Sequence, residues 1–381
     1  VIASAAPSRQ TRARVSAPSA GEFLFCACQV GAESALKSDA VAREPSLRPA
    51  YSRPGLVTFK RGSPRLASDD PEAAPSPLAR AWGRGIGRAS DAAAAVAMIA
   101  GATPSAPPLR LHVFERDRWR PGEAPADALI GGAAALVRAE LLALWPEGRP
   151  LLLGEAAEPG DHVIDVIVAE GEPLYLGHHR HHPARLAWPG GQAPLLISQP
   201  IPPQAPSRAY RKLEEAIAWS RAPVRAGDVA LELGSAPGGA SYALLRRGLT
   251  VHGVDTGVMD PVVLTTRHPS GARFIYHNAP MSQVQRRDLP TALHWVLCDV
   301  NRAPQVALRT VARLAAAPRP ALMGVLCTLK LDDWRALRHL DGWLRMIEAM
   351  GMVEVRATQL PSNRMELFAY GLTEAGVQRR A

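Results

Sequence analysis

The stretch Leu231-Glu232-Leu233-Gly234-Ser235-Ala236-Pro237-Gly238-Gly239-Ala240-Ser241 constrains this chain more than any other. An apolar run, Val229 to Leu233, breaks at a glycine turn, and a helical pattern follows from Ser241 to Arg247. The next apolar run, Val251 to Val254, ends in Asp255. This order predicts a strand, a tight turn, a helix and a second strand with a carboxylate at its tip. In an open parallel sheet that tip lies in the crevice where ligands bind. Glycines give the turn its permissive dihedrals and let a ligand approach the backbone closely. Gly234 and Gly238 are four residues apart with Pro237 between them, so the G-x-G-x-x-G dinucleotide spacing is not met. That argues against NAD and for a ligand without a pyrophosphate, such as S-adenosylmethionine (SAM). The carboxylate of Asp255 is placed to take two ribose hydroxyls.

The chain has 381 residues, enough for two domains, and 47% hydrophobic residues, enough for real cores. No apolar run approaches the ~20 residues of a membrane helix. The four cysteines, Cys26, Cys28, Cys298 and Cys327, lack zinc-site spacing. Cys26 and Cys28 alternate on an expected strand and read as buried thiols; the count suits a reducing cytoplasm. From Gln204 onward there are 23 basic and 15 acidic residues, a net of +8, whereas the earlier part nets +1. The positive excess therefore sits on the half that carries the glycine turn, as expected for a partner that is a polyanion.

Only four lysines occur, Lys37, Lys60, Lys212 and Lys330, against 40 arginines. Arginine stays charged in a protein, whereas lysine can be tuned to lose its proton. Lysines in so arginine-rich a chain are therefore candidates for chemistry.

Residues 1–20 read as a disordered extension without an apolar signal core. Residues 21–188 read as a small α+β domain. Its expected strands are Gly21 to Val30, Leu56 to Phe59, Leu109 to Phe114, Val163 to Val168 and Pro173 to Leu176. Its expected helices are Ala32 to Ala42, Ala89 to Ala100 and Ala126 to Leu144. The run His178-His179-Arg180-His181-His182 reads as a loop with no carboxylate or cysteine nearby, hence a poor metal site. Six prolines between Pro189 and Pro206 mark a linker over 189–206. The domain over 207–381 begins with an amphipathic helix, Arg208 to Ser220. Strands follow at Val229 to Leu233, Val251 to Val254, Phe274 to Tyr276, His294 to Cys298, Ala321 to Leu329, Val353 to Gln359 and Met365 to Gly371. Helices fall between the parallel ones, including Val306 to Ala316 and Trp334 to Met350. The last two strands, joined through Pro361-Ser362-Asn363, form an antiparallel hairpin.

Glu232-x-Gly234-x-x-Pro237-Gly238-Gly239 resembles the SAM-binding motif of FtsJ-like ribose 2'-O-methyltransferases, and within them the RlmM type. Four further segments resemble the family in order and separation: Ala205-Pro206-Ser207-Arg208 running into Lys212-Leu213-Glu214-Glu215-Ala216, Val254-Asp255-Thr256-Gly257-x-Met259, Cys298-Asp299-Val300 with Pro304, and Leu329-Lys330-Leu331. The resemblance is strong over about 200–372. It implies an α/β fold, a Rossmann-like SAM-methyltransferase sheet of seven strands in the order 3-2-1-4-5-7-6, preceded by a THUMP-like RNA-binding domain. It also implies an RNA substrate, a cytidine of large-subunit (23S) rRNA or its precursor, with no metal and no membrane.

Carried over residue by residue, the resemblance implies a catalytic tetrad of Lys212, Asp299, Lys330 and Glu366. It implies SAM contacts from Gly234, Ser235, Pro237, Gly238, Gly239, Asp255, Asn278 and Asp299. Asn278 replaces a common acidic residue, and Ala240 a common tryptophan. A ribose hydroxyl is a poor nucleophile at neutral pH, so the chemistry needs a base. Lysine must be neutral to serve, and burial or a nearby cation lowers its pKa. Lys330 is the expected base, with Lys212 as the cation that lowers its pKa. Asp299 orients Lys330 and the hydroxyl, and Glu366 holds Lys212. Glu354 is a rival for Glu366, and Lys212 has an alternative as a helix-surface partner of Glu215. Open alternatives are a tRNA or other RNA substrate, an RNA-binding protein without catalysis, and, disfavoured by the glycine spacing, an oxidoreductase.

Overall fold

A computed structural model of the chain describes residues 23–61, 73–103, 107–119, 132–192, 202–315 and 321–380. The expected extension over 1–20 and the start of the expected helix at 126–131 lie outside the described residues.

Two seven-stranded sheets dominate the chain. The first is built from β1 (Phe23–Ala27), β2 (Leu47–Arg53), β3 (Leu56–Arg61), β4 (Ala81–Ala89), β5 (Leu109–Glu115), β6 (His162–Val168) and β7 (Leu174–Arg180). Its order is β2-β3-β1-β4-β7-β6-β5, antiparallel except for the parallel β5–β6 pair. Helices α1 (Glu33–Arg43), α2 (Ala92–Ala102) and α3 (Gly132–Ala143) accompany it. The carboxylate of Asp91 caps α2 by accepting the Ala94 N–H. β2 and β4 were not read from the sequence. β2 is an edge strand in which only Leu47 is fully buried, and it carries Pro49, which edge strands tolerate. In β4 the pairing shifts between Gly85 and Gly87, which breaks the period-two pattern.

The first residues of the expected linker are folded against the first sheet. Pro189–Gly191 forms a buried 3-10 turn, in which Gly190 (φ 61°) packs against the Phe114 ring. A Cβ there would sit 2.7 Å from that ring, so only glycine fits the approach.

The second sheet contains β8 (Val229–Leu233), β9 (Thr250–Asp255), β10 (Phe274–Asn278), β11 (Trp295–Cys298), β12 (Gly324–Lys330), β13 (Glu354–Thr358) and β14 (Glu366–Leu372). Its order, β10-β9-β8-β11-β12-β14-β13, is 3-2-1-4-5-7-6 when counted within the sheet. The first five strands are parallel, and β14 runs antiparallel between β12 and β13. Around them lie α4 (Ala209–Ser220), α5 (Gly239–Arg246), α6 (Pro261–Thr265), α7 (Pro304–Ala315), α8 (Leu340–Glu348) and α9 (Glu374–Arg380). The helix expected over Trp334 to Met350 divides into a 3-10 turn, Trp334–His339, and α8.

Packing explains the parallel strands. Helices cover both faces of such a sheet, so its strands are apolar on both sides. In β8, Ala230, Leu231 and Leu233 are fully buried. In α7, Ala307, Leu308, Val311 and Leu314 make one buried stripe at helical spacing. The largest buried cluster runs across both sheets, from Leu24, Leu36 and Trp82 to Leu231, Val296 and Leu329. Polar links reinforce that junction. The Gln359 N–H donates to the Pro77 carbonyl at 2.7 Å, and Arg80 Nη2 donates to the Asn363 carbonyl at 3.2 Å. Among the described residues no helix is long and apolar enough to cross a membrane.

Candidate active site

The carboxyl ends of β8, β9, β11 and β12 and the start of β14 bring the candidate residues to one edge. After β8 the chain turns at Gly234 (φ 84°), where a Cβ would collide with the Asp299 carbonyl oxygen. Only glycine adopts this backbone and also admits the neighbouring loop. The Ala236–Pro237 peptide is cis, and Gly238 (φ 115°) leads into α5. Gly239 lies against Ser207 and the Tyr210 N–H at the entry to α4, so the turn and that helix are in direct contact. Asp255, at the end of β9, braces the turn: Oδ2 accepts the Ala236 N–H at 3.0 Å and Oδ1 the Gly257 N–H at 2.8 Å. Pro237 is exposed. The hydroxyl of Ser235 points inward, 3.7 Å from the Met259 sulfur, so this side chain faces the core. Asn278 is the exposed last residue of β10, in register with Asp255.

Four charged side chains meet beside this turn. Lys330 ends β12 and stands in register with Glu366, which begins β14. Lys330 Nζ donates to Glu366 Oε2 at 2.6 Å and lies 3.0 Å from Asp299 Oδ1. Lys212, on α4, pairs with Glu366 Oε1 and lies 3.8 Å from Asp299 Oδ2. Asn363 Nδ2 also donates to Glu366 Oε1, at 3.2 Å. Glu366 is 6% exposed. The rival Glu354 is occupied elsewhere, with Arg380 and Tyr370. Nor does Glu215 hold Lys212: it takes Arg211 Nε at 3.1 Å and the Ser362 N–H at 2.9 Å.

The electrostatics correct one expectation. Burial, the largest single influence on Lys330, works to lower its pKa, but the carboxylates of Asp299 and Glu366 outweigh it and raise the pKa above the ordinary lysine value. The expectation is that Lys212 lowers the Lys330 pKa, with Asp299 orienting Lys330 and Glu366 holding Lys212. The fold instead puts two carboxylates against its amine, and opposite charge favours the charged form. Glu366 mirrors this: burial raises its pKa, and Lys212 and Lys330 overcome that and hold it below the ordinary value.

Asp299 Oδ1 is buried and, despite the 3.0 Å ion pair, receives no aligned hydrogen bond. The Lys330 ammonium compensates its charge but leaves lone-pair capacity on this carboxylate. This oxygen, beside a glycine turn and the braced carboxylate of Asp255, suits a ligand that brings hydroxyl or ammonium donors. SAM carries both kinds of donor, so the residues present fit it. A cavity lined by Lys212, Glu232, Ala240, Asp299, Thr328 and Phe368 opens alongside.

Two residues of this site had no role assigned from the sequence. Glu232, inside β8, is 3% exposed, accepts the Ser241 hydroxyl, and has its pKa pushed up to about 8 by burial. Its signal was a carboxylate within an otherwise apolar strand. Asn363 gave no signal, because its partner Glu366 is reached only when the turn closes.

The histidine run also differs from the expected loop. His178 to Arg180 lie on β7, and His179 Nδ1 sits 2.6 Å from Asp165 Oδ2 on the paired strand β6. A carboxylate is therefore at hand, but across a hairpin rather than nearby in sequence. Asp165 is 1% exposed, and burial pushes its pKa up to about 6; burial likewise lowers His112 and His181 to about 4. Among the described residues no group of three or more His, Cys, Asp and Glu is arranged to hold a metal ion. All four cysteines are buried and free.

The FtsJ-like methyltransferase family matches residues 205–323. Residues 205–323 are thus similar to the FtsJ-like methyltransferases. The matched stretch includes Lys212, the glycine turn, Asp255 and Asp299, and ends before Lys330 and Glu366. A protein of Chromohalobacter salexigens named ribosomal RNA large subunit methyltransferase M is 32% identical over 35% of this chain and 38% of its own length. The protein of that name from Halorhodospira halophila is 30% identical over 51% of this chain and 54% of its own length. The chain thus matches about half or less of the length of these curated relatives. Among solved structures, TrmN from Thermus thermophilus aligns over 92% of this chain at 17% identity with a TM-score of 0.32.

Proposed function

We propose that this protein is a SAM-dependent RNA ribose 2'-O-methyltransferase acting on a cytidine of large-subunit rRNA. The observation that carries the reading is Lys330, held between Asp299 and Glu366 at the sheet edge beside the Gly234 turn. Lys212, Asp299, Lys330 and Glu366 act as one tetrad. The turn from Gly234 to Gly239 and the carboxylates of Asp255 and Asp299 hold SAM, with Asn278 at the adenine side. In this reading residues 21–188 are a THUMP-like RNA-binding unit, joined through 189–206 to a methyltransferase unit over 207–381. The rRNA target is supported by the names of the relatives.

SAM supplies an electrophilic methyl group on a sulfonium. Lys330 is protonated at rest, because two carboxylates face it. Only the small neutral fraction of Lys330 can act as the base, and that fraction grows as pH rises. The neutral amine accepts the 2'-hydroxyl proton as the oxygen forms its bond to the methyl carbon. The donor would leave as the neutral thioether, keeping the carbon–sulfur electron pair, while the proton rests on Lys330. Glu366 and Asp299 keep the amine aimed, and Lys212 neutralises Glu366. Alignment of this kind accounts for up to about 7–11 kcal/mol of barrier reduction in favourable intramolecular systems.

Lys330→Ala tests the assignment. Methyl transfer to RNA is expected to be lost while SAM binding, followed by calorimetry, stays near wild type. Substantial turnover by the variant contradicts the role given to Lys330.

A further inference from the structure

We propose that Arg80, supplied by the first sheet, is a positioning residue for the reaction: through Asn363 it aims the Glu366 carboxylate at the two lysines. The role rests on the 2'-O-methyltransferase reading and names a residue outside 207–381 that this chemistry needs.

Glu366 is the hub of the tetrad, because each of its oxygens takes one lysine. The turn that precedes β14 sets its aim, and Asn363, fully buried in that turn, is the link. The Asn363 side chain works in two directions. Oδ1 accepts the Leu360 N–H at 3.0 Å and closes the turn, and Nδ2 donates to Glu366 Oε1 at 3.2 Å. Its main-chain carbonyl accepts from Arg80 Nη2 at 3.2 Å. One residue is thus joined to the carboxylate by its side chain and to the first sheet by its backbone.

Arg80 is anchored so as to hold that carbonyl. It immediately precedes β4, and its N–H donates to the Ala27 carbonyl at the end of β1, at 2.9 Å. Its guanidinium donates to Asp117 Oδ2 at 2.9 Å and to Gln29 Oε1 at 3.2 Å. Those partners stand just past β5 and β1, so the first sheet orients the fork from two strands. Arg80 is 7% exposed. Stability alone gives little reason to bury a guanidinium, since apolar residues of similar volume often serve as well as a buried ion pair. A rigid planar fork of donors meets a different need, which is to hold several acceptors in one geometry.

The turn is gripped at two further points. The Pro77 carbonyl, three residues before Arg80, accepts the Gln359 N–H at 2.7 Å. From the opposite side Glu215 takes the Ser362 N–H at 2.9 Å and the Ser362 hydroxyl at 2.8 Å. Glu215 lies on α4, three residues after Lys212. The turn is therefore clamped between the first sheet and the helix that carries Lys212. Releasing the Arg80 end lets the turn shift and carries Glu366 with it. Lys330 Nζ then loses its hold on one of the two carboxylates that face it.

The test uses the full chain with Arg80→Met and with Arg80→Lys, which keeps a positive charge beside Asp117 without the fork. Methyl transfer to rRNA and SAM binding by calorimetry are measured for both. Lysine isotope-labelled at Cε is followed by NMR across an alkaline pH series. The chain has only four lysines, so the Lys330 signal is assigned by its absence in Lys330→Ala. In both variants kcat should fall by about tenfold to a hundredfold, since misplacement by about 1 Å costs up to about 10²-fold. KM for RNA and SAM affinity should stay near wild type. The Lys330 titration midpoint should move to lower pH, because a carboxylate that favours its charged form has been misaimed. A residue that only supported the fold would reduce the amount of folded protein and leave the midpoint of the folded molecules in place. In a folded variant that binds SAM normally, an unmoved midpoint or an unchanged kcat would overturn the role of Arg80. Arg80→Lys carries the test if Arg80→Met does not fold. If the midpoint moves but the wild type methylates no ribose, the link from Arg80 to Glu366 stands and the proposed reaction falls. If the wild type methylates ribose and the midpoint is unmoved, the reaction stands and the link falls.

Discussion

Lys330 and Glu366 face each other in register across the antiparallel β12–β14 ladder, with Nζ donating to Oε2 at 2.6 Å. The ladder itself fixes this pair, so the strand order and the candidate chemistry are one fact. β13 carries the chain to the carboxyl edge of the parallel strands, and antiparallel β14 starts there, which places the Glu366 carboxylate at that edge. A loop would hold the same two groups less firmly.

The pair predicts a pH dependence of rate. Asp299 and Glu366 raise the Lys330 pKa, so the neutral base is scarce at pH 7 and grows with pH. Log kcat should rise with a slope near one over the range about 7–9, below the ordinary lysine pKa of about 10.4. Glu366→Gln removes one of the two carboxylates and should move the inflection to lower pH. Steady-state rates across pH for both proteins check this; an unmoved inflection counts against Lys330 as the titrating group.

Stability should respond at the acid end. Glu366 is held below its ordinary pKa, so its ion pairs stabilise the fold fully above about 4.3, its unfolded value. That contribution is lost as pH falls through the lower, folded value. The Lys330 pKa is raised, so its contribution is present below about 10.4 and lost only as pH climbs through the folded value. Thermal melts from pH 3 to 7 should show a smaller acid-side drop in Glu366→Gln than in the wild type.

Gly234→Ala should damage folding and SAM binding together. The new Cβ meets the Asp299 carbonyl, and the backbone sits at φ 84°. Backbone strain of this kind costs about 1–3 kcal/mol, and the displaced loop carries Asp299. Calorimetry with SAM should register weaker binding, and chemical denaturation a lower stability. Wild-type values in both would show that the turn is not the binding element.

Asp165→Ala probes the other sheet. It removes the partner of His179 from a fully buried position. Breaking a buried pair in this way costs about 3–5 kcal/mol. A large loss in denaturant stability is expected, with SAM affinity unchanged wherever the protein remains folded. A SAM defect in the folded variant would tie this cluster to the active site.

The second sheet was legible because its strands are buried on both faces and read as continuous apolar runs between glycine and proline signals. Leu231, Val254 and Val296 needed no partner information to be placed inside. The lysines stood out against an arginine background. The direction of the Lys330 pKa did not, since it depends on which side chains the ladder sets opposite each other. β2 hid because an edge strand with one fully buried residue has no hydrophobic period. The Asp165–His179 pair hid because its members meet only across a hairpin, and Asn363 because it acts through a turn.

The central claim is tested most directly by the chemical identity of the methylated product. Purified protein is given methyl-labelled SAM and large-subunit rRNA lacking the modification, and the RNA is digested to nucleosides. The account predicts label in 2'-O-methylcytidine with the wild type and none with Lys330→Ala. Label on a base, or equal labelling by both proteins, would contradict it.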